Sequence, residues 1–126
     1  MNKLTAEWVT KAERDFATLT RELQVTVAPN YDAVCFHAQQ CAEKYFKAYL
    51  QEHGVRSGNI HELDKLLVLC NNVDPSFAQL QRAADGLKGY AVEPRYPGTD
   101  PTLVQAQTAD QNAAQIRAFV RAKLGI

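Results

Sequence analysis

Between Asn30 and Gly54 the sequence reads NYDAVCFHAQQCAEKYFKAYLQEHG, with no proline and no glycine before the last position. Asn30 suits a helix N-cap and Gly54 a left-handed stop after the last turn. A helix filling that interval would rise about 35 Å at about 1.5 Å per residue, the full height of a small domain. At about 100° per residue, Tyr31, Val34, Cys35, Ala38, Cys41, Ala42, Tyr45, Phe46 and Tyr49 share one broad face. Gln40, Lys44, Lys47 and Gln51 fall on the opposite side. An apolar arc wider than half the circumference needs more than one neighbour to cover it. The stretch therefore predicts a helix bundle, with surface left over for a partner chain.

The flanking segments supply the neighbours. Leu4, Trp8, Ala12, Phe16, Leu19 and Leu23 recur at steps of three and four, which predicts a first helix over residues 5–23. QVTVAP, residues 24–29, reads as an extended link. Asn59 with Glu62 has capping-box spacing and predicts the start of a third helix, which buries Leu63, Leu66, Leu67 and Cys70 and ends near Asn71 and Asn72. Asp74-Pro75 marks another helix start, and Gly86 and Gly89 weaken the short segment that follows. VEPRYPGTD, residues 92–100, carries two prolines and a glycine and predicts irregular backbone. Asp100-Pro101 then caps a last helix reaching about Lys123. The fold expected is all-α: an antiparallel up-and-down bundle of four main helices plus a short extra helix, one domain over residues 1–126.

Fourteen basic residues balance fourteen acidic ones, so no global field draws the chain to nucleic acid or membrane. The longest aliphatic run, Leu66 to Leu69, is far too short to cross a bilayer, and the charged start MNKLTAEWVTKAERD lacks a signal-peptide core. A cytoplasmic protein is expected. Cys35, Cys41 and Cys70 have no CxxC spacing and read as buried small hydrophobes. There is no Gly-rich phosphate loop, HExxH, ExxH set or nucleophile elbow, and the three histidines lack paired ligand spacing. No metal or cofactor is expected.

Three sets of residues could carry chemistry. Arg56 and His61 could act together as phosphate-stabilising cation and general base in RNA cleavage, although a first-turn His also serves simply to finish a helix end. Gln40 and Lys44, with His37 and Lys47, form a partly basic stripe that could follow a phosphate backbone or merely meet solvent. Tyr90, Arg95 and Tyr96 surround the irregular loop, where aromatic rings beside a guanidinium could hold a base and its phosphate, or plug the end of the bundle.

Several of these residues resemble the HEPN (higher eukaryotes and prokaryotes nucleotide-binding) domain family. Trp8, Ala12, Asp15 and Phe16 resemble its opening pattern. Phe36-His37-Ala38-Gln39-Gln40, Ala42-Glu43-Lys44, Lys47-Ala48 and Leu50 resemble its second helix. His61, Leu63, Leu66 and Leu67 follow its third, and Arg95-Tyr96-Pro97 its later segment. The resemblance implies an up-and-down bundle forming a homodimer, often beside a minimal nucleotidyltransferase in a two-component, toxin–antitoxin-like system.

In the toxin branch the resemblance implies a metal-independent ribonuclease with an Arg followed closely by a His. Arg56 and His61 have that spacing. Ser57, however, stands where Asn, Asp or His is usual, Leu63 where Tyr often follows, and the pair comes earlier in the chain than the toxin motif. The pattern is closer to the branch that binds a nucleotide or a partner without cutting RNA. On this reading Arg95, Tyr96, Tyr90, Lys44 and Gln40 are nucleotide-binding residues. Phe36, Glu43 and Leu50, at heptad spacing on the second helix, form a dimer or partner seam. A helical scaffold without its own ligand is the remaining alternative.

Overall fold

The computed structural model describes residues 1–91, 97–98 and 100–126. Among these residues five α-helices form the bundle: α1 Lys3–Leu23, α2 Tyr31–Glu52, α3 Leu63–Val73, α4 Gln81–Leu87 and α5 Leu103–Leu124, with a 3₁₀ helix over Pro75–Leu80 leading into α4. The all-α bundle is as expected. Among the described residues no strand occurs, and no helix is long and apolar enough to cross a membrane.

α2 is the axis of the molecule, touching α1, α3, α4 and α5. Its ends are set as the sequence implies. The Asn30 side chain accepts from the Ala33 amide at 3.1 Å, and Gly54 follows the last turn at φ 69°. α1 runs antiparallel to it. Asn2, which caps α1, donates from its backbone to Glu52 at the far end of α2, and Glu22 accepts from the Asn30 amide at the near end.

Two other caps differ from expectation. Glu62, not Asn59, stands at the N-cap of α3, with no side-chain hydrogen bond closing that end. α5 is capped by Thr102, whose hydroxyl accepts from Gln105 while the Gln105 side chain accepts from Thr102, rather than by Asp100. Asp74 does cap the 3₁₀ helix, accepting from Ser76 at 3.0 Å.

The buried stripe of α1 is shifted from the predicted one. Thr5, Val9, Ala12, Asp15 and Leu19 face inward, while Leu4 is more than half exposed. The large residues Trp8 and Phe16 stay at the edges of the seam. There the Lys47 ammonium lies 5.4 Å from the Trp8 ring centre, and the Arg117 guanidinium 4.8 Å from that of Phe16. Small residues take the closest approach, and cations cover the aromatic rings.

At the lower end Phe77, from the 3₁₀ helix, joins Phe46 and Tyr49 of α2 to Phe119 of α5. Gly86 gives α4 its approach to α5: a Cβ there would collide with the Asn112 side-chain amide. A residue that weakens the helix in isolation thus permits its packing. Cys35, Cys41 and Cys70 are buried free thiols.

α5 is tied to α1 by Glu13. Its carboxylate takes two hydrogen bonds from Arg117, at 2.6 and 2.7 Å, and one from the Tyr45 hydroxyl at 2.6 Å. The Arg117 hydrogen bond holds the Glu13 carboxyl below its ordinary 4.5, against partial burial and with help from Tyr45. A depressed carboxyl contributes stability that is present above the unfolded-state value and lost as pH falls through the folded one. The Tm difference between the wild-type chain and Glu13→Gln should therefore be largest near neutrality and shrink as the pH drops from about 5 to about 3. A difference independent of pH across that window would show that Glu13 does not act through its charge.

Candidate functional site

The connection from α2 to α3 carries Arg56 and His61, both exposed. Gly54 and Gly58 adopt positive φ, 69° and 48°, and the chain folds back so that the Val55 amide donates to Leu50 O and the Ile60 amide to Ser57 O. Val55 and Ile60 pack against the core, which leaves Arg56 exposed and brings His61 to α2.

There the His61 Nδ1 meets the Glu43 carboxylate at 3.1 Å. The imidazole is 67% exposed, whereas Glu43 is only 8% exposed. The same Glu43 oxygen lies 3.6 Å from the Lys47 ammonium, one turn on and still more deeply buried. A buried carboxylate therefore orients a solvent-facing imidazole on one side and counters a buried cation on the other. The Lys47 burial corrects its expected place on the solvent face of α2.

Two grooves open from this cluster. One, of about 560 Å³, is lined by His61, Gln39, Leu63, Gly89 and Ala91, with Glu62, Asp64, Lys65 and Lys88 contributing both signs of charge. The Lys65–Glu62 and Lys88–Asp64 pairs, each at 3.5 Å, are exposed. The other groove, of about 420 Å³, is lined by Trp8, Lys47, Gln51, Arg56, Ser57 and the backbone around Gly54 and Gly58. Arg56 and His61, expected to act as a pair, thus face separate grooves.

The remaining predicted residues are dispersed. Lys44 is held by Asp15 at 2.5 Å, an acid that also meets His37 Nδ1 at 2.7 Å, so this part of the basic stripe is neutralised from α1. Gln40 donates to its neighbour Gln39. Tyr90 is half-buried and bonds the Cys35 side chain, whose thiol burial pushes up to about 11. Arg95 and Tyr96 lie outside the described residues. Of the heptad seam, Phe36 is half-buried and Glu43 faces His61. Leu50 is fully enclosed within its own chain, which leaves it no surface to offer a partner. Among the described residues no group of three or more His, Cys, Asp or Glu is placed to hold a metal ion.

Sequence reasoning missed two features here. Trp8 is a groove wall rather than a core residue, and Glu43 is the partner of His61. Only the shared groove and the 3.1 Å contact reveal them, because both join distant parts of the chain.

The sequence model of the HEPN domain matches residues 5–123. The fold is similar to the crystal structure of an archaeal HEPN homologue, with a TM-score of 0.77, 26% identity and 98% of each chain covered. It is also similar to the crystal structure of a protein from Thermus thermophilus, with a TM-score of 0.81, 28% identity, and 98% of this chain and 99% of that one covered. No curated protein matches the chain.

Proposed function

The chain belongs to the HEPN domain family, and from that premise we propose that it is a homodimeric module that binds a nucleotide or RNA and works with a separate minimal nucleotidyltransferase, in a two-component, toxin–antitoxin-like system. The observation that carries the binding reading is His61. A buried carboxylate fixes an exposed imidazole at the mouth of a groove large enough for a small ligand. Lys65 and Lys88, each paired with a carboxylate, line the same groove. In such a groove an imidazole can donate to a phosphate or ribose oxygen.

Calorimetric titration with nucleotides and a short oligoribonucleotide tests this. His61→Ala is expected to weaken binding at least about tenfold, the size of one charge-assisted hydrogen bond. Arg95→Ala and Tyr96→Ala test the sequence-based part of the site in the same assay. Binding indifferent to all three substitutions would remove this site. Phe36 remains the α2 residue we assign to the dimer or partner contact, and Phe36→Asp is expected to lower the sedimenting mass toward that of one chain.

A second reading, a metal-independent ribonuclease using Arg56 and His61, draws on the same carboxylate–imidazole pair, which would orient a general base. Its expected result is RNA cleavage in chelator that His61→Ala and Arg56→Ala abolish. The placement of the two residues on separate grooves favours the binding module.

A further inference from the structure

Trp8 is a wall common to two hollows. One is the groove of Lys47, Gln51, Arg56 and Ser57. The other, of about 160 Å³, lies along α1 between Leu4, Glu7, Trp8 and Lys11. Lys47 is 5% exposed, yet among the described residues its ammonium makes no hydrogen bond. Its neighbours are Glu43 at 3.6 Å and the Trp8 ring centre at 5.4 Å. An ammonium carries three donors, and one as buried as this is ordinarily satisfied by oxygen at closer range. What remains accessible of it opens into the groove, where Arg56 is a second cation and no carboxylate lines the wall. Lys47 and Arg56 outnumber Glu43 by one, so the groove calls for a single negative charge. A carboxylate supplies it. A phosphate monoester, at about −1.5 to −2 near neutrality, would leave unbalanced charge beside the buried Glu43.

The hollow along α1 has the opposite character. Leu4 is 53% exposed although it belongs to an apolar stripe, and the charges of Glu7 and Lys11 cancel around it. With the Lys47 ammonium over its ring, Trp8 serves as a side wall rather than a stacking platform. An apolar hollow adjoining a cationic groove suits a polypeptide, which carries both kinds of side chain on one strand.

We propose that the two hollows together dock an extended segment of a partner protein, whose acidic side chain meets Lys47 and Arg56 while a nearby apolar side chain lies against Leu4 and Trp8. The carboxylate completes the hydrogen bonding of the buried ammonium, and the apolar side chain covers the exposed leucine. The inference is independent of the nucleotide-binding reading, which concerns the His61 groove.

Trp8, the only tryptophan in the chain, supplies the reporter. Its emission is followed during titration of the full chain with capped peptides in which a leucine lies one, two or three residues before or after a glutamate, while calorimetry records binding in parallel. A saturable response to at least one spacing is expected. Replacing its glutamate by glutamine should weaken it at least about tenfold, and replacing its leucine by alanine about fivefold. A 5′-phosphorylated oligoribonucleotide is titrated in the same way.

Arg56→Glu and Leu4→Ser alter exposed side chains and should weaken the peptide response by similar factors. Arg82→Glu, an equal charge change on the exposed side of α4, should leave it unaltered. Peptide binding that either Arg56→Glu or Leu4→Ser leaves intact overturns the assignment. So does silence of Trp8 toward every spacing. A Trp8 response to the oligoribonucleotide alone also overturns it, in favour of nucleic acid as the occupant.

Discussion

Phe77→Ala is expected to lower the unfolding free energy by about 4 kcal/mol, near the top of the range for a single truncation. Phe77 is fully buried, although it comes from a short 3₁₀ helix rather than a long one. Its ring centre stands 4.4 Å from Tyr49, 5.0 Å from Phe119 and 6.4 Å from Phe46. Truncation would remove the ring that joins α2 to α5 and leave a cavity walled by other rings, which cannot collapse to fill it. Urea unfolding should show a lower midpoint at an unchanged slope. Val68→Ala, on the exposed side of α3, should move the midpoint by less than about 0.5 kcal/mol in free-energy terms. A Phe77→Ala loss below about 1 kcal/mol would show that the aromatic cluster can repack.

Glu43→Ala comes next, at about 3 kcal/mol, because it strands a buried cation. Lys47 would keep only the Trp8 ring for company, and His61 would lose the group that orients it. The informative variant is the double one. Glu43→Leu combined with Lys47→Met removes both charges and should recover most of the loss, as replacement of buried ion pairs by apolar residues commonly does. Chemical denaturation of the two single variants and the double variant gives the coupling directly. If Glu43→Ala unfolds within about 0.5 kcal/mol of the unaltered chain, the pair has no structural weight and its burial needs another account.

Much of the architecture could be read from the amino-acid sequence, for reasons that are local. α2 has an unbroken apolar arc and capping residues at both ends, and both determine structure within a few residues of themselves. The same holds for Asp74-Pro75 and for the buried thiols. The errors have a common cause in contacts between distant segments. Leu4 belongs to a regular stripe, yet it is exposed, while Trp8 and Phe16 stay at the seam edges against cations brought from α2 and α5. Lys47 looks like a solvated residue until the returning α2–α3 loop and Trp8 cover it. Leu50 reads as a seam residue on a helical wheel but is enclosed by its own chain.

The candidate site was legible only in part. His61 and Arg56 stand out as residue types, but spacing along the chain does not show that they face different grooves. Glu43 lies 18 residues before His61 and touches it. No periodicity encodes that pairing. Lys44 illustrates the reverse: a lysine on a polar stripe is already committed to Asp15, 29 residues away on α1.

The three thiols turn the interior of the bundle into a clock. Cys35 and Cys41 lie along α2 and Cys70 on α3, where Cys70 donates to Phe46 O at 3.7 Å. Burial pushes Cys35 up to about 11 and Cys70 up to about 12, so in the closed bundle neither reaches the thiolate form that alkylating reagents attack. Modification must wait for an opening, and its rate counts openings rather than encounters at the surface. Cysteines on α2 and α3 that react together would mean the bundle opens as one body, whereas an earlier Cys70 would mean that α3 lifts away first. The buried thiols thereby time the exposure of the core.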